Sequence, residues 1–304
     1  MSKLKDKGVK VWHRMARRSF YFFEKLGLHV VPNHFYQPIP DTRDLTEAVF
    51  ARRTEMVGVD LRDQAQCELL ETFAAAYKAE YDALPREKSG EPYNFYLNNG
   101  TYASVDAEIL YSMVRHFKPR RMIEIGSGFS TYLAAQAVLK NESADGVKCK
   151  LTAIEPYPND VLAAGFPGMS ELVREKVQTA PLSLFEALEA NDILFIDSSH
   201  VLKIGSDVQY EFLEILPRLK PGVVVHVHDI FLPAEYPREW VFKHQRFWNE
   251  QYLLQAFLSF NTSFEVLFGG SYMHQKHADK LGKAIASYDQ KTCWPGNFWL
   301  RRVK

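Results

Sequence analysis

Along the last two thirds of the chain, amphipathic stretches alternate with short β-rich runs. The spacing predicts a helix over 104–117 before a β-rich run at 121–125, and a helix over 130–140 before 150–154. Helices over 183–190, 207–219 and 239–259 then precede strands at 192–196, 223–227 and 264–267, and 297–303 is a final strand-like segment. Short apolar runs each fed by a helix are the pattern of a doubly wound, mostly parallel sheet covered on both faces. The long excursion over 269–296 suits closure of that sheet by an antiparallel pair.

The first hundred residues carry a different pattern. Residues 1–30 read as a basic, aromatic amphipathic helix, with Trp12, Met15, Phe20, Phe23 and Leu26 at roughly helical spacing. A Pro-punctuated loop follows over 31–41, a second helix over 61–84, and a polar, turn-rich stretch that ends at Asn98-Asn99-Gly100-Thr101-Tyr102. The expected organisation is an N-terminal helical accessory or lid segment over 1–100 and one α/β domain over 101–304.

Composition narrows the class. With 46% hydrophobic and 24% charged residues, a packed core is expected rather than disorder. Lys+Arg and Asp+Glu are equal at 37 each, so no global field favours nucleic acid. The N-terminus is the local exception: Lys3, Lys5, Lys7, Lys10, Arg14, Arg17 and Arg18 face Asp6 alone. Such a run reads first as a solvated helix face and second as a peripheral contact with a membrane surface or an anionic substrate. The cysteines Cys67, Cys149 and Cys293 are odd in number and widely spaced, which disfavours a disulfide framework or a zinc site. No segment reads as a signal peptide or reaches the ~20 apolar residues of a membrane span, so a cytoplasmic protein is expected.

In a doubly wound sheet, ligands bind beyond the carboxyl ends of the strands. Those ends read Glu124-Ile125-Gly126-Ser127-Gly128-Phe129-Ser130, Ile154-Glu155-Pro156, Ile196-Asp197-Ser198-Ser199-His200 and His226-Val227-His228-Asp229. Gly126 and Gly128 permit a tight turn and close approach of a ligand, while the third glycine of a dinucleotide fingerprint is absent. An acid at position 155 can accept both hydroxyl protons of a ribose. A ligand with free ribose hydroxyls and no required pyrophosphate points to S-adenosylmethionine.

With these motifs in order, the sequence over about 100–303 resembles class I S-adenosylmethionine-dependent methyltransferases. Residues 124–130 are similar to their motif I, Glu155 to their ribose-binding acid, and Leu219-Lys220-Pro221-Gly222-Val223 to their approach to the fifth strand. Within the class the likeness is to bacterial enzymes that methylate sugars and secondary metabolites, distant cousins of catechol O-methyltransferase; a bacterial hydroxylase with a methyltransferase-like domain is also near. The resemblance implies a Rossmann-like, seven-stranded sheet. It implies that Glu124, Gly126, Ser127 and Gly128 line the cofactor and that Glu155 holds its ribose; Ser130, Asp197 and Tyr102, the last in a turn that can close over cofactor or substrate, are further candidates for the same site. Asp197 and Asp229 fall where the catechol-type enzymes place two metal-binding aspartates, but the Asn expected after the second is Ile230 here.

A hydroxyl acceptor must lose a proton, to a base or through acidification by a divalent cation. His200 and His228 are the candidate bases, with Asp197 beside them, and His226 reads as a packed structural histidine. If a cation binds, Asp197, Asp229 and His228 or His200 supply oxygen and nitrogen ligands suited to Mg²⁺ or Mn²⁺. The function expected is methyl transfer to a hydroxyl of a small molecule or glycan by a homo-oligomeric enzyme. The alternatives are a nicotinamide-dependent oxidoreductase, a metal-dependent hydroxylase on the same scaffold, and a non-catalytic nucleotide-binding module.

Overall fold

A computed structural model describes residues 2–304, and side chains from Trp12 onward. The side chains of Lys3, Lys5, Lys7 and Lys10 in the basic N-terminal run lie outside the described residues. The chain forms two compact units: residues up to Arg52 with Pro237–Phe247, and Arg53–Tyr236 with Trp248–Lys304.

In the smaller unit, helix α1 (Ser2–Glu24) leaves Trp12, Met15, Phe22 and, just past its end, Leu26 exposed. A short α2 (Glu47–Ala51) belongs to the same unit. No helix among the described residues is long and apolar enough to cross a membrane.

The larger unit opens with α3 (Asp63–Tyr81) and α4 (Asp106–Phe117), which leads into β1 (Arg121–Ile125). Then follow α5 (Phe129–Asp145), β2 (Lys150–Ile154), α6 (Asp160–Ala164), β3 (Glu171–Val173), α7 (Leu182–Glu186) and β4 (Ile193–Ile196). Next come α8 (Asp207–Tyr210) and β5 (Val224–Val227), and then α9 (Arg238–His244), which belongs to the smaller unit. The chain closes with α10 (Glu250–Leu258), β6 (Phe264–Gly269), α11 (Gly270–Lys276), α12 (Ala278–Ala284) and β7 (Phe298–Arg302).

The sheet is the Rossmann-like, seven-stranded one expected, in the order β3-β2-β1-β4-β5-β7-β6. β7 runs antiparallel to both β5 and β6, and the other pairings are parallel. Both faces are covered, so Ile193 and Phe195 of β4 pack on one side and Leu194 and Ile196 on the other, all buried. That double burial is why β4 reads as an unbroken apolar run. The strand order reverses between β1 and β4, which opens a crevice there at the carboxyl ends.

Three local differences from the sequence reading matter. β3 is an edge strand of three residues, too short to show alternation. The helix expected over 207–219 begins as α8, widens to a π turn at Glu211–Ile215 and tightens at Leu216–Arg218, which contains Pro217, whose missing N–H breaks the regular ladder. The helix expected over 239–259 divides at Gln245, which takes a left-handed backbone at φ 51°. Glu250 therefore enters the first turn of α10 instead of lying mid-helix.

Residues 53–100 pack closely on the sheet unit. Gln66 of α3 accepts a hydrogen bond from the Gly269 amide at 2.8 Å, and the Tyr81 hydroxyl donates to the Ala284 carbonyl at 2.9 Å. Asp106, at the start of α4, accepts from the amides of Gly296 and Asn297 at 3.2 and 3.1 Å, tying the entry of β7 to α4.

Candidate active site

The crevice is built by the ends of β1, β2, β4 and β5. Gly126 turns the chain out of β1 with φ +76°, a conformation L side chains rarely adopt. Its amide donates to the Ile154 carbonyl at 3.0 Å, and the Asp197 amide donates to the Ile125 carbonyl at 2.8 Å, so β1 is held from both sides. A Cβ built at Gly128 meets no atom within 4 Å, so the space above this turn is open. Here lies a cleft of about 340 Å³ lined by Tyr102, Gly126, Ser127, Gly128, Ser130, Glu155 and Asp197 among others. A second cleft of about 440 Å³ is lined by Gly126, Glu155, Tyr157, Gln178 and Asp197 among others. The two share Gly126, Glu155 and Asp197, and together they make a trough along the strand ends.

Glu155 is fixed in this trough by two amides: Ser127 N–H donates to Oε2 at 3.3 Å and Tyr157 N–H to Oε1 at 2.7 Å. Each carboxylate oxygen keeps a lone pair for a ligand hydroxyl. Glu124 has a different situation. It is fully buried and accepts from the Ser130 hydroxyl, and burial pushes its carboxyl up to about 8. At neutral pH it therefore keeps its proton and stands beneath the glycine turn as a neutral hydrogen-bonding group. Tyr102 is buried with its ring 5.0 Å from that of His228, and its hydroxyl has no protein partner.

At the other side of Asp197, the chain brings three potential ligands together. Oxygens of Asp197 and Asp229 and a ring nitrogen of His200 all lie within 4.8 Å of one another. His200 Nε2 is 3.3 Å from Asp197 Oδ1 and 3.5 Å from Asp229 Oδ2. Two of the three sit in left-handed backbone, His200 at φ 60° and Asp229 at φ 55°. His and Asp tolerate this region better than most residues, and such conformations concentrate at functional sites. A Cβ at Gly296 would lie 3.1 Å from the Asp229 Cα and 3.3 Å from its Oδ1, so glycine there lets β7 enter close beside this acid.

The electrostatics follow from the crowding. Burial opposes a charge on Asp197, but His228 and His200 beside it hold its carboxyl at about 2. Burial likewise opposes protonation of His200, yet Asp197 and Glu250 raise it well above the usual histidine range. Burial raises the Asp229 carboxyl. His226 is buried against Phe195 and Trp299, with ring centroids at 4.1 and 4.5 Å, and burial keeps it neutral.

The sequence-expected residues thus fall into two groups. Gly126, Ser127, Gly128, Ser130, Glu155, Asp197 and Tyr102 line the trough, while Glu124 lies beneath it. Asp197 and Asp229 meet at its end, and the nitrogen gathered with them is that of His200. His228 stands behind, with Nε2 3.6 Å from Asp229 Oδ1 and Nδ1 buried without a protein partner. Ile230, in the position of the expected third ligand, is buried in the core. Sequence reasoning missed Glu250, whose Oε2 lies 2.9 Å from His200 Nδ1. It also missed Trp248, with its ring 4.3 Å from that of His200. Both follow the unforeseen break at Gln245.

Residues 123–230 match a family described as a methyltransferase domain. An uncharacterized protein of Archaeoglobus fulgidus is 36% identical over 176 residues, covering 56% of this chain and 78% of that protein. Among solved structures, an O-methyltransferase from Bacillus cereus in complex with SAH is 16% identical, over 80% of this chain and 91% of that one, with a TM-score of 0.37. The plantazolicin methyltransferase BamL is 12% identical, over 81% of this chain and all of that one (100%), with a TM-score of 0.41.

Proposed function

Since the chain belongs to the class I S-adenosylmethionine-dependent methyltransferase family, we propose that it moves the sulfonium methyl group to a hydroxyl of a small molecule or glycan, with a divalent cation assisting. The observation that carries this reading is the Asp197–His200–Asp229 cluster at the end of the trough that begins over Gly128.

The trough fits the cofactor on its own geometry. The glycine turn leaves open space, and Glu155 presents fixed acceptors suited to the two ribose hydroxyls. Ser127, Ser130 and Tyr102 line the same cleft, where the methionine end of the cofactor would lie. Methyl transfer is an in-line displacement: the acceptor oxygen forms a bond to the methyl carbon as the carbon–sulfur bond breaks, and the hydroxyl proton must leave. The protein's main task is alignment of oxygen, methyl and sulfur.

Asp197, His200 and Asp229 have the donor set for a divalent cation, Mg²⁺ or Mn²⁺ in the first instance. A cation there would acidify an acceptor hydroxyl and fix its orientation. His228 stands behind Asp229, with Nε2 3.6 Å from its Oδ1. Asp197 borders both the trough and the cluster, so it ties cofactor position to acceptor position.

Residues 1–100 are read as an accessory segment to the methyltransferase domain. The exposed Trp12, Met15 and Phe22 on a helix rich in Arg and Lys suit peripheral contact with an anionic membrane surface. A cytoplasmic homo-oligomer completes the reading, and light scattering of the purified chain reports the assembly.

The test is methyl transfer from labelled S-adenosylmethionine to a panel of catechols, sugars and hydroxylated metabolites, with and without Mn²⁺ after chelation. Cation-dependent label in the product supports the reading. Consumption of O₂ with no methyl transfer would replace it with the hydroxylase alternative.

A further inference from the structure

The ring of His200 is held more firmly than a surface histidine's, and it is held from the first turn of α10. The amides of Asn249 and Glu250 both donate to the His200 carbonyl, at 3.1 and 3.3 Å. The Asn249 side chain accepts from the Leu202 amide at 2.6 Å, fastening the loop beyond His200. The Glu250 side chain is 1% exposed, and its Oε2 lies 2.9 Å from His200 Nδ1. With Nδ1 engaged by a carboxylate, Nε2 is the nitrogen turned toward Asp197 and Asp229.

Its separations from the two aspartate oxygens, 3.3 and 3.5 Å, approach the roughly 3.0 Å edge of an octahedron with metal–ligand arms of about 2.1 Å. A carboxylate behind a ligating imidazole fixes the ring and raises its basicity as a ligand. Mg²⁺ prefers an all-oxygen shell and dehydrates reluctantly, whereas an imidazole nitrogen favours later divalent metals.

We propose that the Asp197–His200–Asp229 cluster selects a transition-metal dication over Mg²⁺, and that Glu250 is the positioning residue that sets this preference by locking the His200 ring. The inference rests on the reading that the cluster holds a cation. It differs from that reading in which metal is chosen and which residue, outside the ligand set, decides.

The experiment is calorimetric titration of the chelator-treated full chain with MnCl₂, CoCl₂ and MgCl₂, alongside the absorption spectrum of the Co²⁺ form. The wild type should bind Mn²⁺ and Co²⁺ at least about tenfold more tightly than Mg²⁺. Glu250→Ala should cost about 10- to 100-fold in Mn²⁺ and Co²⁺ affinity, with a smaller change for Mg²⁺ and an altered Co²⁺ spectrum. Glu250→Gln, which still accepts from Nδ1, should recover part of that loss. His200→Ala, checked for folding by its melting curve, should erase the preference. Equal affinity for Mg²⁺ and Mn²⁺ in the wild type overturns the inference, and so does a selectivity that Glu250→Ala leaves unchanged. A wild type that binds none of the three ions removes the cation from the proposed function itself.

Discussion

Gly126 and Asp197 approach so closely that a Cβ on the glycine would lie 1.9 Å from the Asp197 carbonyl oxygen. The contact joins the ends of β1 and β4, where the sheet order reverses and the trough opens. Gly126→Ala must therefore either push these strand ends apart or leave the +76° backbone. We expect a loss of about 2–4 kcal/mol in stability together with loss of S-adenosylhomocysteine binding. Gly128→Ala should behave differently. Its backbone is extended and its Cβ direction open, so the melting temperature should hold while the methyl group intrudes on the ligand. Differential scanning calorimetry paired with titration of both variants separates the two effects.

Glu124 should make stability depend on pH in the direction opposite to an ordinary salt-bridged acid. Its carboxyl is raised from the usual 4.5 to about 8, so the folded state binds the extra proton between these limits. The stabilisation is complete below about pH 4.5 and is lost as pH rises through about 8. Glu124→Gln keeps a hydrogen-bonding partner for Ser130 and carries no titrating proton. It should flatten the decline in melting temperature between about pH 5 and 8, a gain of at least about 2 kcal/mol at the alkaline end. An unchanged slope in the variant would mean that Glu124 is ionised in the fold.

Asp229 offers a way to weaken the cluster without disturbing the cofactor trough. Asparagine tolerates the left-handed backbone at this position, and Asp229 is not among the residues lining either cleft. Asp229→Asn should lower cation-dependent turnover by about 100-fold or more and leave S-adenosylhomocysteine affinity within about twofold. Asp197→Asn, which touches both regions, should impair both. Steady-state kinetics and cofactor titration on the same preparations distinguish these outcomes.

Away from the site, Arg115 joins α4 to its neighbours. Its guanidinium is buried, 2.9 Å from Glu80 of α3 and 3.3 Å from Asp145 of α5, and it also donates to Asn141. Arg115→Met should destabilise the fold by about 3 kcal/mol, because it strands partly buried carboxylates without their cation. Cofactor affinity, measured well below the new melting temperature, should not move.

Much of this was readable in the sequence because double burial and close packing leave marks on the chain. The apolar runs of β1, β2, β4 and β5, and the glycines and acids at their ends, declare a parallel sheet with a site at its carboxyl edge. Periodicity could not place the three-residue β3, nor foresee that Gln245 would adopt a left-handed turn and divide one expected helix into two. Glu250 and Trp248 reach His200 only because of that division, so no local pattern announced them. The choice between His200 and His228 as the nitrogen beside the two aspartates was equally hidden. It depends on the left-handed turn that swings His200 back over Asp197, and both histidines follow the same kind of strand end. Glu124 reads as a ligand-facing acid, and only its full burial under the turn shows it as a neutral support.

The most direct test of the account is calorimetric titration of the purified chain with S-adenosylhomocysteine, using Glu155→Ala as the control. Micromolar binding is expected of the wild type and a loss of about 10- to 100-fold of the variant, since two amide-fixed acceptor oxygens disappear from the ribose position. No binding by the wild type, with or without a divalent cation, would contradict it, and undiminished binding by Glu155→Ala would place the cofactor elsewhere on the molecule.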